Sequence, residues 1–210
     1  MGPYLAANDE QGFIDELLDG QPDAHAYFGR MKRENREGPA IMGERTPLQE
    51  LDTTVVARDL AENKVTFIDT RPNAEVHQGT VAPSLNVPAG KSVATYGAWV
   101  VNPETDKNPL VLLAQDQDTA QDMWDHLVRV ANDNVAGYVT SIKGLPSFPP
   151  KLIHPTDLAD FHAAMVLDVR NRSEHTAGHI PGSPQHLFTA TTGKPMALKR
   201  ARNHCRGLDV

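Results

Sequence analysis

Cysteine and long apolar runs are scarce in this sequence. Cys205 is the only cysteine among 210 residues, so no disulfide can form within the chain and no cysteine-rich zinc site can exist. A chain so poor in cysteine suits a reducing compartment. The longest apolar runs, such as residues 110–114, are far shorter than the roughly 20 residues that span a bilayer. We therefore expect a cytoplasmic protein that makes no contact with a membrane.

Positive charge is also in short supply. The sequence has 20 Lys and Arg against 27 Asp and Glu, a net charge of −7, which argues against broad nucleic-acid binding. Apolar residues make up 40% of the chain, enough for the core of one large domain or two small ones. The stretch at 194–206 departs from this balance because it is rich in basic residues, and we expect it to be solvated. Its basic residues are Lys194, Lys199, Arg200, Arg202 and Arg206.

Two segments of the chain resemble each other at an offset of 99 residues. The first segment is residues 67–84 and the second is residues 166–183. Each predicts a short buried strand that ends in Asp-x-Arg, then a polar helical turn with Glu, then a loop that contains Gly. The matching pairs are Asp69 and Asp168, Arg71 and Arg170, Glu75 and Glu174, Gly79 and Gly178, and Ser84 and Ser183.

Strand and helix patterns alternate around the first segment, which predicts an α/β layer with a mostly parallel sheet. The apolar run at 110–114 is typical of a strand buried on both faces. Short apolar stripes around residues 13–18 and 27–31 predict two further helices near the N-terminus. The other predicted elements are helices at 53–63, 119–130 and 154–164, strands at 134–139 and 165–169, and a linker at 144–150.

The second segment closely resembles the strand-and-loop signature of rhodanese-like domains. The resemblance rests on Asp168, Arg170, Glu174 and the run Gly-His-Ile-Pro-Gly that contains His179. The order of segments resembles the C-terminal part of metallo-β-lactamase-fold hydrolases fused to tandem rhodanese domains, some of which are persulfide dioxygenases. This implies a rhodanese-like parallel sheet flanked by helices, one complete copy and a partial second one. The implied domains are a helical lead at 1–45, a degenerate unit at 46–148 and a truncated unit at 149–210.

The resemblance also implies where sulfur chemistry belongs. Rhodaneses carry a cysteine thiolate after a strand, at the N-terminus of a helix whose N–H groups and dipole lower the thiol pKa. In the first unit Ala114 stands at the cysteine position and Thr119 where the loop usually has Arg. That unit is therefore expected to be catalytically silent. None of the nine histidines falls in the His-x-His-x-Asp-His pattern of the hydrolases, so neither a metal site nor a cofactor is expected.

Cys205 is the candidate persulfide nucleophile of the second unit. It stands in His-Cys-Arg-Gly, which resembles the opening of an active rhodanese loop, and Arg206 is a weak candidate for attracting the anionic donor. Val210 stands at the position where the loop usually closes with Arg, so we expect sulfur transfer in this chain to be weak or absent. Asp69, Arg71, Asp168 and Arg170 are expected to tie strand ends to neighbouring loops through ion pairs. His179 is expected to hold its turn.

Three functions follow from these residues. The first is transfer of sulfur from thiosulfate or a persulfide to a thiol acceptor, as the resemblance implies for a complete family member. The second is a non-catalytic binding or dimerisation module, which would allow a homo-oligomer. The third is a cysteine phosphatase, because His204-Cys205 resembles the start of a His-Cys-x5-Arg phosphate loop, although the Arg would fall beyond Val210.

Overall fold

The computed structural model describes residues 10–19, 25, 27–39, 41–160 and 165–185. Residues 27–162 form one compact unit, which we call the sheet unit. The described residues on either side of that range, 10–19 with 25 and 165–185, fall in a second unit. None of the helices in these ranges is long and apolar enough to cross a bilayer.

A parallel sheet of four strands organises the sheet unit. Its strands are β1 (Thr66–Asp69), β3 (Leu85–Asn86), β4 (Leu110–Leu113) and β5 (Val135–Val139), whereas β2 (Thr80–Val81) belongs to a separate two-stranded sheet. The order in the four-stranded sheet is β3-β1-β4-β5, and every neighbouring pair is parallel. The central strand β4 has the sequence Leu-Val-Leu-Leu and is buried along its whole length, as a strand covered on both faces must be.

Helices cover both faces of this sheet. Because side chains alternate along a strand, Leu112 of β4 points to one face and Val111 to the other. Leu112 packs in a cluster with helices α5 (Val93–Val100) and α6 (Gln117–Val128). Val111 packs in a second cluster with helix α3 (Thr53–Ala61). The chain is therefore an α/β protein with a parallel sheet flanked by helices, the fold class expected from the sequence.

Two of these helices begin at an aspartate cap. The Asp52 carboxylate accepts a hydrogen bond from the N–H of Thr54 at 2.7 Å, and Asp116 accepts one from the N–H of Thr119 at 2.8 Å. These hydrogen bonds lower the pKa of both carboxyls, because they favour the charged form. The caps satisfy donors that would otherwise be unpaired in the first helical turn.

Four further α-helices lie in the described residues. Both helices predicted near the N-terminus are present, as α1 (Glu10–Leu18) and α2 (Tyr27–Glu37). Helix α4 (Asn73–Val76) forms the polar turn of the first segment, and α7 (Arg172–Ala177) forms that of the second. The two begin at positions 99 residues apart.

Three predicted elements differ from the structure. The expected linker at 144–150 contains strand β6 (Ser147–Phe148), which pairs antiparallel with β2 (Thr80–Val81); a two-residue strand leaves no periodic signal. The expected helix at 154–164 is a 3-10 helix at Pro155–Asp160, and residues 161–164 lie outside the described ranges. The expected strand at 165–169 makes a single bridge, between Asp168 and Gln185, because the partner segment pairs with it at one position only.

We predict that Gly137→Ala strongly destabilises the sheet unit. Gly137 has φ of +155°, and a Cβ there would lie 2.6 Å from the carbonyl oxygen of Gln49 and 2.8 Å from Cγ of Leu51. We expect the free energy of unfolding to fall by about 2 to 3 kcal/mol in urea denaturation. Gly29→Ala is the control, because it lies in α2 with no atom within 4 Å of the added Cβ. It should leave stability unchanged or raise it slightly. Equal effects of the two substitutions would contradict the prediction.

Candidate functional site

Asp69 ends β1 at the carboxyl edge of the sheet and is fully buried. Its carboxylate accepts hydrogen bonds from the backbone N–H of Arg71 at 3.1 Å and from the guanidinium of the same residue at 2.7 and 3.0 Å. It also accepts one from the hydroxyl of Thr80 at 2.9 Å. A buried carboxylate persists only when charge and hydrogen bonds compensate its lost hydration, and here both do.

The guanidinium of Arg71 joins the two ends of the loop that follows β1. Its Nη2 donates to the carbonyl of Gly79 at 2.7 Å while it pairs with Asp69. The side-chain amide of Asn86 donates to the carbonyls of Asp69 and Arg71, at 2.8 and 3.0 Å. The hydrogen bond with Asp69 raises the pKa of Arg71. We call Asp69, Arg71, Gly79 and Asn86 the first clamp.

The second segment, with Gln185 just beyond it, makes all but one of these contacts. Asp168 accepts hydrogen bonds from the N–H of Arg170 at 3.0 Å and from its Nη2 at 2.7 Å. That Nη2 also donates to the carbonyl of Gly178 at 2.8 Å, and the amide of Gln185 donates to the carbonyl of Arg170 at 3.1 Å. Each of these residues lies 99 positions after its counterpart in the first clamp. We call Asp168, Arg170, Gly178 and Gln185 the second clamp.

Glu174 and His179 both hold the turn around α7. The carboxylate of Glu174 accepts a hydrogen bond from the N–H of Asn171 at 3.1 Å, at the start of the helix. His179 Nδ1 donates to the carbonyl of His175 at 2.9 Å, and the two imidazole rings stack with their centroids 3.8 Å apart. In the first segment the position of His179 is taken by Thr80, whose hydroxyl bonds to Asp69 instead.

Ala114 follows β4 at the carboxyl edge, at the position where the family resemblance places cysteine. It is buried, and its N–H donates to the carbonyl of Val139 at 3.0 Å. The next helix begins at the Asp116 cap, whose carboxylate occupies the N–H of Thr119. A helix N-terminus attracts anions through such free N–H groups, so this cap competes with an anionic ligand.

Three carboxylates surround this edge. Glu50 accepts a hydrogen bond from the hydroxyl of Thr140 at 2.7 Å and forms a parallel bridge with Tyr138 of β5. Burial raises the pKa of the Tyr138 phenol, and the charges of Glu50, Asp116 and Asp118 raise it further. All three carboxylates therefore act on one point of the carboxyl edge. Their field repels an anion such as thiosulfate. We call Glu50, Asp116, Asp118 and Tyr138 the acidic edge.

Cys205 and Arg206 lie outside the described residues, as does the basic stretch that contains Arg206. Their roles in sulfur transfer remain predictions. Within the described ranges, no group of three or more His, Cys, Asp or Glu side chains is arranged to hold a metal ion.

Several polar residues complete the site although the motif comparison does not single them out. Asn86 and Gln185 lie two positions beyond the matched segments and are themselves 99 residues apart, so extending the comparison would have found the pair. Glu50 lies outside both segments and belongs to no motif. Only the pairing of residues 49–51 with β5 brings it to the acidic edge.

No protein-family model and no curated protein matches the chain. Solved structures similar to it include a metallo-β-lactamase from Staphylococcus aureus subsp. aureus COL, with 26% identity and a TM-score of 0.49, over 63% of this chain and 35% of that one. Another is the rhodanese-like domain of the Anabaena sp. protein Alr3790, with 11% identity and a TM-score of 0.39, over 60% of this chain and 97% of that one. A third is a thiosulfate sulfurtransferase from Pseudomonas aeruginosa, with 15% identity and a TM-score of 0.36, over 77% of this chain and 36% of that one. The chain spans about a third of the length of the first and third of these proteins.

We predict that Asp69→Asn destabilises the sheet unit by about 3 kcal/mol, because it leaves the Arg71 guanidinium without its buried counter-charge. Urea denaturation measures the loss. The control is Glu37→Gln, which breaks the exposed pair of Glu37 with Arg36 and should change stability by less than about 0.5 kcal/mol. If Asp69→Asn lowered the free energy of unfolding no more than Glu37→Gln does, the clamp would not stabilise the loop.

The second clamp gives a pH prediction. The hydrogen bonds from Arg170 lower the pKa of Asp168 to about 2. Because the folded pKa is lowered, the ionised pair stabilises the fold above the ordinary pKa of aspartate, and this contribution disappears as the pH falls towards about 2. The carboxyl ¹³C chemical shift of Asp168, followed against pH, should report this pKa. Arg170→Gln should raise the pKa of Asp168 because it removes the hydrogen bonds that favour the charged form. Titration of Asp168 at its ordinary pKa in the unaltered chain would refute the prediction.

Proposed function

We propose that the chain is a rhodanese-family protein of sulfane-sulfur or persulfide metabolism that contains two rhodanese-like units in tandem. The observation that carries the proposal is the shared clamp: three residues of each segment and one just beyond it make matching contacts at an offset of 99. Two loops that fold alike support two units of one kind. The proposed boundaries are those expected from the sequence, with a lead at 1–45 and units at 46–148 and 149–210.

The first unit is catalytically silent in this proposal. Ala114 supplies no nucleophile at the end of β4, and the carboxylates of the acidic edge disfavour an anionic sulfur donor there. Cys205 is the only cysteine of the chain, so any persulfide must form in the second unit.

Sulfur transfer at Cys205 proceeds in two displacements. The Cys205 thiolate attacks the outer sulfur of thiosulfate, the sulfur–sulfur bond of the donor breaks, and sulfite leaves with the electron pair. A thiolate acceptor then attacks the outer sulfur of the Cys205 persulfide and leaves as a persulfide, which restores the Cys205 thiolate. A persulfide donor reacts in the same way and releases a thiolate. Arg206 would attract the anionic donor.

A binding or dimerisation module is the alternative. It is favoured by the sheet unit, which has a folded core and an ordered carboxyl edge but contains no cysteine. In that case the chain acts through a partner or a second copy of itself, and Cys205 has the reactivity of an ordinary thiol.

Turnover of the full chain distinguishes the two functions. With thiosulfate or glutathione persulfide as donor and a thiol as acceptor, we expect slow transfer that Cys205→Ser abolishes and Arg206→Gln reduces through a higher KM for thiosulfate. Arg202→Gln is the control, since it removes a nearby positive charge without touching His-Cys-Arg-Gly. Transfer that persists in Cys205→Ser would contradict the role of Cys205 as nucleophile. No transfer by the unaltered chain would favour the binding module.

A further inference from the structure

A small cavity lies at the amino edge of the sheet, where β4 and β5 begin, and so at the opposite end of the strands from the acidic edge. Its volume is about 240 Å³, and its two walls come from residues 101–110 and 131–134. The amide of Asn134 donates to the carbonyl of Lys107 at 3.3 Å, and the N–H of Leu110 donates to the carbonyl of Asn134 at 2.8 Å. The two walls are therefore joined, and the cavity between them has room for several waters or one small organic molecule.

The buried part of the cavity wall contains an oxygen that has no hydrogen-bond partner. Val101 and Leu110 supply buried apolar surface, and Asn132, which is 2% exposed, lines the same cavity. The side-chain amide of Asn132 donates to the carbonyl of Gly97 at 3.3 Å, but no group in the described part of the chain donates to its Oδ1. Nearly all buried polar atoms of folded proteins are paired, so this oxygen marks a place where a ligand can supply a donor.

The rest of the wall carries more negative than positive charge. Asp106 and Asp133 contribute two carboxylates. Lys107 contributes one ammonium group, which donates to the carbonyl of Pro103 at 2.8 Å. The carboxylate of Asp106 accepts a hydrogen bond from the N–H of Asn102 at 2.8 Å. The C-terminus of α5 ends beside this wall with no basic residue in its last turn, so its dipole adds to the negative field.

The carboxylate of Asp133 would be stabilised by a further cation. The backbone carbonyl of Asp133 accepts a hydrogen bond from Nε1 of Trp124 at 2.9 Å, which fixes the residue without engaging its side chain. Burial raises the pKa of Asp133, although the charges of Arg30 and Arg45 act in the opposite direction. The ionised carboxylate is therefore less stable here than in water, and a positive group beside it would offset the difference.

We propose that this cavity binds a short aliphatic amino alcohol. The hydroxyl of the ligand donates to Oδ1 of Asn132, and its ammonium group pairs with the carboxylate of Asp133. Its carbon chain covers the apolar surface of Val101 and Leu110. The hydroxyl is the end that reaches Asn132, because an ammonium group buried against one neutral acceptor would lose too much hydration. The site needs no sulfur transfer at Cys205, so its failure would leave the proposed function standing.

The test is an NMR titration of the full ¹⁵N-labelled chain with 3-amino-1-propanol, and separately with propylammonium and with 1,3-propanediol. Propylammonium lacks the hydroxyl and propanediol lacks the charge, so the series tests each end of the ligand. It leaves Asn132 unaltered, whose amide also holds Gly97. We expect saturable shifts at the amides of Asn132, Asp133 and Lys107. The amino alcohol should bind roughly fivefold more tightly than either of the other two probes.

Asp133→Asn should weaken binding of 3-amino-1-propanol roughly fivefold and leave the affinity for 1,3-propanediol unchanged. Asp122→Asn is the matched control, because it removes an exposed carboxylate of α6 that does not line the cavity. Its affinity for the amino alcohol should equal that of the unaltered chain. The proposal would be overturned by the absence of saturable shifts at these amides, by equal affinities for the three probes, or by equal affinities of the two variants for the amino alcohol.

Discussion

The buried ion pair between Asp69 and Arg71 determines how the carboxyl edge of the sheet is built. Asp69 sits at the end of β1 with no exposure to solvent, and its charge is compensated only because Arg71 folds back onto it. That fold brings the guanidinium to Gly79 and fixes the loop that leads into β2. Such a pair specifies geometry more reliably than it adds stability. The second clamp makes matching ion-pair and loop contacts at a more exposed site.

The two proposed units differ in the charge around their expected catalytic positions. In the sheet unit the loop after β4 begins with Ala114, and the nearby carboxylates give the edge a negative field. The segment that carries Cys205 is rich in lysine and arginine, which attract anions. This difference in sequence charge accords with the proposal of a silent first unit and of sulfur chemistry in the second.

Much of this architecture could be predicted from local sequence patterns. The run at Leu110–Leu113 predicted a buried strand, and the Asp-x-Arg motif located the end of β1. At Asp168 the same motif marks a single bridge, not the end of a strand. Strand β6 could not be predicted, because two residues carry no periodicity and pairing with β2 alone defines them. The acidic edge was also hidden, since Glu50, Asp116 and Tyr138 come from three separate parts of the chain and meet only through the register of β5.

Single-turnover loading of Cys205 tests the central claim most directly, because it does not depend on an efficient second step. The full chain is incubated with thiosulfate, alkylated and digested with a protease. The mass of the peptide that contains Cys205 is then measured by mass spectrometry. The account predicts a gain of one sulfur atom on that peptide, reversed by a thiol acceptor. A peptide that stays unmodified under conditions that load an active rhodanese would contradict sulfur transfer and favour the binding module.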